Sequence, residues 1–261
     1  MKRSAVGYLR VVMMGCVYQF KMNSQSSFFL LTSTIQPVIF ASIAFYLFRA
    51  GGHPGTLLYA ALGAGLMGIW STTLFGCGGA IGWQRYQGTL ETLVVAPAPL
   101  PAVLLGITLS TATAGVYAMI ATLLWGHFLF GVSLTLAQPL TFLIALVATV
   151  LSLGMLGLLM ASSFVLYRNA NALSNLLEYP VWLVTGLLVP LSLLPGWTHP
   201  IAWVLAPTWG VQAIRAAAFG GNATFPVLMC VALACAYLGL AVVFLRIFER
   251  QARVDATLSL T

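Results

Sequence analysis

Acidic residues are nearly missing from this sequence. Three glutamates and one aspartate occur in 261 residues, and lysine occurs only twice. Charged residues make up 6% of the chain, where soluble domains carry about 25%. A soluble domain needs far more charge to cover its surface, so that class is excluded, and with it a disordered chain or a nucleic-acid binder. The same scarcity excludes chemistry. Lys2 and Lys21 end no GxxxxGK[ST] pattern, so the chain holds no phosphate-binding loop of its own. No HExxH occurs, His53, His127 and His199 are isolated, and Asp255 is the only aspartate. No acid cluster for Mg²⁺ therefore exists in the sequence. Gly68-Ile69-Trp70-Ser71 is no GxSxG elbow. With no nucleophile, base and orienting group together, the chain reads as a non-enzyme with no catalytic residues. Cys16, Cys77, Cys230 and Cys235 form no CxxC and lie in apolar runs, so they read as small buried hydrophobes rather than a metal site.

What fills the sequence is apolar. Hydrophobic residues make up 61% of it, and the mean hydropathy is +1.00. This composition predicts an all-α polytopic membrane protein. The run Val11–Phe20 is too short to cross about 30 Å of hydrocarbon. With Lys2, Arg3, Arg10 and Lys21 around it, and no small-residue cleavage site after it, residues 1–27 are expected to form an amphipathic helix on the cytoplasmic membrane surface.

Six longer apolar segments follow, expected as spans: 28–48, with Pro37 as a kink; 56–82, rich in Gly and Ala; 102–128; 139–167; 172–194, interrupted by Pro180 and Pro190; and 225–248. The six-span core covers 28–248, and 249–261 is a cytoplasmic tail. With both termini on one side, that side holds Lys2, Arg3, Arg10, Lys21, Arg85, Arg168, Arg246, Arg250 and Arg253, and the other holds Arg49 and Arg215. The basic excess makes the first side cytoplasmic, in an inner or plasma membrane. The external connection 191–224 is apolar but broken by Pro195, Pro200 and Pro207, a pattern for a re-entrant or interfacial hairpin with tryptophans such as Trp197 at headgroup level.

The most informative stretch is cytoplasmic: Trp83-Gln84-Arg85-Tyr86-Gln87-Gly88-Thr89-Leu90-Glu91-Thr92-Leu93-Val94-Val95-Ala96-Pro97. Thr89 can cap a helix whose first turn carries Glu91. Leu90, Leu93 and Val94 then share one apolar face, and Pro97, Pro99 and Pro101 end the helix. Taken alone, this is a short amphipathic helix that either lies passively on the membrane or is offered to a partner.

Arg85-x-x-Gly88-Thr89-Leu90-Glu91-x-Leu93-x-x-x-Pro97 resembles the signature loop of the ABC-2 family of ABC-transporter permeases, above all the small six-span permeases of the daunorubicin-exporter type. A second stretch, Gly186-Leu187-Leu188-Val189-Pro190-Leu191-x-x-Leu194-Pro195-x-Trp197 followed by Ala206-Pro207-Thr208-Trp209-Gly210-Val211-Gln212-Ala213-Ile214-Arg215, is similar to the family's pattern after span five. The sequence departs from the family at Gln84, where an acid is usual, which bears on one ionic contact with the ATPase.

The resemblance implies a single ABC-2 type transmembrane domain over 1–261. It implies a coupling helix built from Arg85, Gly88, Thr89, Leu90, Glu91 and Leu93, docking on a separate ATPase subunit, with Arg168 as a lesser contact. It implies an external re-entrant region marked by Pro190, Pro195, Trp197, Pro207 and Arg215. It also implies a second permease copy or a sister permease, two ABC ATPase subunits and export of a drug-like or lipid-like amphipath. ATP and Mg²⁺ would then sit on the partner ATPase, with no cofactor on this chain. A polysaccharide or lipid-linked glycan is the alternative cargo. An ion-coupled secondary transporter would need several intramembrane acids and internal repeats, and the spans hold one acid and no visible repeat.

That acid is Glu178. A carboxylate in mid-span costs about 2.5–3.5 kcal/mol on insertion scales, so its default reading is a function in the transport pathway. The alternative is a position near the cytoplasmic end of span five, bonded to Arg168, Asn171 or Asn175. Phe40, Phe45, Trp70, Phe75, Tyr179 and Trp182 are candidates to line an apolar path. Arg215 is expected to meet lipid headgroups, to cap a short helix, or to guard the exit.

Overall fold

In hydrocarbon every backbone amide must find its partner within the chain, and for an apolar sequence the α-helix achieves this locally. The computed structural model describes residues 5–50, 57–86, 88, 100–164 and 170–255, and among these no strand occurs. The helices are α1 (Ala5–Gln25), α2 (Ser27–Ala50), α3 (Leu57–Tyr86), α4 (Leu100–Ala114), α5 (Val116–Phe130), α6 (Pro139–Phe164), α7 (Ala170–Val184), α8 (His199–Val204), α9 (Ala206–Phe219) and α10 (Thr224–Asp255). Two short 3₁₀ turns, Leu191–Leu193 and Gly196–Thr198, sit between α7 and α8.

Helix α3 is the axis of the fold. It packs against α2, α4, α5, α6, α7 and α9. Leu62, Leu66, Met67, Ile69, Trp70 and Leu74 along it are all buried. Small residues permit this crowding. At Gly68 an added Cβ would lie 2.4 Å from the Ala118 Cβ of α5 and 2.7 Å from Pro37 Cγ of α2. Side-chain-free surface is how helices gain packing contacts where lipid removes the hydrophobic drive between them. Pro37 thus stays inside α2 and turns its ring to the gap that Gly68 leaves open.

Among the described residues, five stretches are long and apolar enough to cross a membrane: 29–46, 57–79, 100–130, 139–163 and 224–247. They coincide with five of the six expected segments. The third is continuous through Gly115, where the chain passes from α4 to α5 with that glycine pressed on Ile69 of α3. The remaining expected segment, 172–194, is not among the five. Its helix, α7, ends at Val184. Gly186 adopts φ +81, a left-handed conformation that ends the helix, and Pro190 has no N–H with which to resume it.

Helix α1 packs on the bundle. It follows α4 closely: Gly106 leaves no room for a Cβ, which would sit 2.9 Å from the Val12 carbonyl oxygen and 3.1 Å from the Cys16 amide nitrogen. Further along, Ser24 Oγ and the Tyr117 hydroxyl of α5 are 3.2 Å apart. The helix expected to lie on the membrane surface is therefore packed on the bundle, with Leu9, Met13, Met14, Val17 and Tyr18 on its exposed side.

At the other end of the molecule the 131–138 connection is pinned to α9. The amides of Ala137 and Gln138 donate to the carbonyls of Ala218 and Ala217 at 3.0 and 3.2 Å. Helix α9 lies against α6, where Gly210 fits over Thr149. Trp209 Nε1 donates to the Trp203 carbonyl at 2.9 Å, and the Tyr237 hydroxyl of α10 donates to the Val204 carbonyl. The proline-broken connection is thus a folded cap rather than a loose loop. Pro195 precedes one 3₁₀ turn, Pro190 precedes the other, and Pro207 opens α9 at a position where a missing N–H costs nothing. Trp197 is exposed and Pro207 is buried.

Candidate functional site

Glu178 lies on α7 and is 1% exposed. Ser71 Oγ of α3 donates to its Oε1 at 2.5 Å, and Gln36 Nε2 of α2 reaches the same oxygen at 3.4 Å. Three helices therefore meet at one carboxylate. Ser71 is at the midpoint of α3, roughly 21 Å from either end at 1.5 Å per residue. The acid is held by Ser71, at the midpoint of α3, and by Gln36. The described residues give it no ion pair, so its compensation comes from hydrogen bonds, as a buried polar group requires.

One helical turn away, toward the capped end, the chemistry changes. Gln36 and Phe40 are four residues apart on α2, and Glu178 and Trp182 four apart on α7, so each pair shares a face. The Phe40 and Trp182 rings meet edge-to-face with centroids 4.9 Å apart, and Tyr179 meets Trp182 in the same manner at 5.1 Å. A polar layer is thus followed by an aromatic layer along the α2–α7 seam. Of the sequence-predicted aromatics, Phe40, Tyr179 and Trp182 are brought together here. Phe45 is not: it packs on Phe130 of α5. Trp70 is 2% exposed within the central core.

A cavity of about 340 Å³ opens between α2 and α3. Phe29, Thr32, Ser33 and Gln36 line it from α2, and Ser71 and Phe75 from α3. Both donors to Glu178 are therefore wall residues of this cavity. Gln36 and Ser71 were not foreseen as site residues. The one signal for Gln36 was an amide inside an apolar span, which is itself costly.

Arg215, on α9, is 9% exposed. Its Nη1 donates to the Gly186 carbonyl at 2.8 Å, and its Nη2 to the Leu187 carbonyl at 3.0 Å and the Tyr59 carbonyl at 3.4 Å. The guanidinium also stacks over the Tyr59 ring, 3.4 Å from its centroid. It therefore covers the carbonyls just past the end of α7 and ties them to the start of α3. Gly63 of α3 makes room, since a Cβ there would lie 2.7 Å from Nη2.

The expected coupling segment falls mostly elsewhere. Arg85 is in the last turn of α3, and Gly88 is exposed in a turn with φ +67. Thr89, Leu90, Glu91, Leu93 and Arg168 lie outside the described residues.

The all-helical bundle agrees with one comparison. The match to the ABC-2 type transporter family spans residues 12–219, most of the chain. The chain belongs to the ABC-2 type transporter family. It is thus a membrane-spanning permease component of an ABC transporter, without an ATP-binding site of its own. ABC-2 permeases normally work with ABC ATPase subunits. Comparison with curated proteins returns no match. The family match includes Gly88 and all three residues of the polar layer, Gln36, Ser71 and Glu178, as well as Arg215, and it ends at Phe219, the last residue of α9.

Proposed function

We propose that this permease exports an amphipathic, drug-like or lipid-like molecule, in the manner of the daunorubicin-exporter type that its signature stretch resembles. Two permease halves, identical or sister chains, work with two separate ATPase subunits. The chain crosses the inner membrane six times, with α7 and the folded cap together forming the fifth crossing and both termini cytoplasmic. ATP hydrolysis belongs to the partner, with Mg²⁺ bound there.

The observation that carries this reading is the family match, which includes the cytoplasmic stretch Arg85-x-x-Gly88-Thr89-Leu90-Glu91. The chain itself has no phosphate-binding loop, so force must come from outside it. The turn at Gly88, leaving the last residues of α3, is where an ATPase-driven displacement enters the central helix, and α3 contacts most of the bundle.

The test is co-purification from native membranes followed by reconstitution. A P-loop ATPase is expected to accompany the tagged permease. Gly88→Val, which forces a β-branched residue into a left-handed conformation, is expected to leave assembly intact and to lower substrate-stimulated ATP hydrolysis by about tenfold. Recovery of a folded permease with no ATPase partner refutes the proposal, as does full coupling in Gly88→Val.

A further inference from the structure

In the cavity between α2 and α3, which Thr72 also lines, several of the polar side chains give their protons elsewhere. Thr32 Oγ1 donates to the Phe29 carbonyl at 3.1 Å, and Ser33 Oγ to the Leu30 carbonyl at 3.2 Å. Ser71 Oγ donates to Glu178, and one Gln36 N–H points there too. A hydroxyl has one proton to give and two lone pairs to receive. What the hydroxyls of Thr32, Ser33 and Ser71 still offer a guest is acceptor capacity. Among the described residues, no Lys or Arg belongs to the cavity wall. An anion finds little to bind here, and a cation finds oxygens.

Behind the wall stands the Glu178 carboxyl. Gln36 reaches Glu178 at 3.4 Å, well beyond the usual 2.9–3.0 Å of a good amide bond, so this amide is the weakly held gate between cavity and carboxylate. On the capped side of the same seam lie the rings of Phe40, Trp182 and Tyr179. Phe29 and Phe75 supply apolar wall for the body of a guest. A volume near 340 Å³ is within the range of small-molecule sites, about 300–1,000 Å³.

We infer that this cavity is a binding site for an organic cation, with Glu178 as its counter-charge and Gln36 as the side chain that yields to let the charges approach. The inference rests on the exporter reading for its purpose, and it narrows the cargo to amphipaths bearing one positive charge on a largely apolar body. Hydrogen bonds from Ser71 and Gln36 hold the carboxylate in place when the cavity is empty. The cation takes over the role of Gln36 when it enters.

The test uses the full chain in nanodiscs of phosphatidylcholine, whose zwitterionic surface does not concentrate cations as an anionic one does. The probes are radiolabelled tetraphenylphosphonium and tetraphenylborate, two ions of like size and opposite charge, each corrected for uptake by empty nanodiscs. Saturable binding of the phosphonium and none of the borate is expected. Glu178→Gln is expected to weaken phosphonium binding by about tenfold or more and Glu178→Asp by no more than about threefold, because only the first removes the charge. Saturable borate binding of equal strength overturns the inference. So does undiminished phosphonium binding in a folded Glu178→Gln protein, or no saturable phosphonium binding to the wild type. If Glu178→Gln fails to fold, the wild-type comparison of the two ions still decides. Binding needs no ATPase, so the outcomes separate: a permease that binds the cation yet has no ATPase partner refutes the exporter and keeps the site, and a coupled exporter blind to the cation refutes the site alone.

Discussion

Arg215→Ala is the perturbation whose size the structure defines best. The guanidinium makes two close bonds to carbonyls, at 2.8 and 3.0 Å, a longer one to the Tyr59 carbonyl, and a stack on the Tyr59 ring. A hydrogen bond from a charged donor contributes about 1.5–3 kcal/mol, and a desolvated cation–π contact about 2 kcal/mol. Against these stands the desolvation of a cation with no acid beside it, which is several kcal/mol. The net loss in Arg215→Ala is therefore expected near 2–4 kcal/mol, dominated by carbonyls left without a donor in an apolar setting. For a chain of this size that corresponds to a fall in Tm of roughly 5–15 °C. Thermal unfolding of the purified protein in detergent, followed by intrinsic fluorescence, measures it. Arg215→Lys supplies the charge without the planar fork and is expected to lose about half as much. Tyr59→Phe keeps both the ring and the main-chain acceptor and is expected within about 2 °C of wild type. An Arg215→Ala protein that melts within about 2 °C of wild type refutes the capping argument, since it means those carbonyls find other donors at no cost.

Two further expectations concern α3. At Gly63 a Cβ would lie 2.4 Å from the Leu187 carbonyl oxygen as well as 2.7 Å from Arg215 Nη2. Gly63→Ala is expected to destabilise by about 2 kcal/mol or more, and Arg215→Ala is expected not to rescue it, because the closer clash is with main chain; a double-mutant cycle of melting temperatures checks this. Gly68 and Gly79 form a matched pair on the same helix. Gly68→Ala collides with Ala118 and Pro37 and is expected to cost about 1–3 kcal/mol, whereas Gly79, with open space around it, is expected to gain about 0.5–1 kcal/mol on conversion to Ala in the same melting assay.

Hydropathy made most of the bundle legible because long apolar runs have one stable backbone solution in lipid. Segments 56–82 and 139–167 correspond to Leu57–Tyr86 and Pro139–Phe164 within a few residues. Within 172–194 it does not show the end of α7 at Val184, because composition does not register where a helix stops. Leu187, Leu188 and Val189 continue the apolar run without a change of character, while Gly186 turns the backbone left-handed. The candidate site divides the same way. Glu178 was legible through its rarity. Its partners were not, since Gln36 and Ser71 are 142 and 107 residues away in sequence, and only the packing of α2 and α3 on α7 brings them near. Arg215 was read as a headgroup contact, a helix cap or an exit guard, and the geometry is that of a cap, on the carbonyls beyond α7. The expectation of a coupling segment rests on the resemblance to a family alone, because its amphipathic pattern fits a passive surface helix equally well.

The two charged side chains that are buried among the described residues are Glu178 and Arg215, and both serve α7. This is the helix that ends at Val184, just before the folded cap. A helix that ends inside an apolar medium leaves up to four carbonyls without donors, each costly where no water reaches. Arg215, reaching over from α9, meets the carbonyls of Gly186 and Leu187, where the chain turns away from α7. Midway along α7, Glu178 needs donors for the opposite reason, and takes them from α2 and α3. A longer, wholly apolar α7 would need neither. The sequence instead spends two of its fifteen charges on holding this helix, with its acid on Ser71 and Gln36 and its end beneath the folded cap. A helix fixed by two polar contacts to different neighbours is one that a change in either neighbour can move. If α3 is displaced by an ATPase acting at Gly88, both contacts move with it, because Ser71 and Tyr59 belong to α3. The acid and the cap are therefore mechanically joined through one helix.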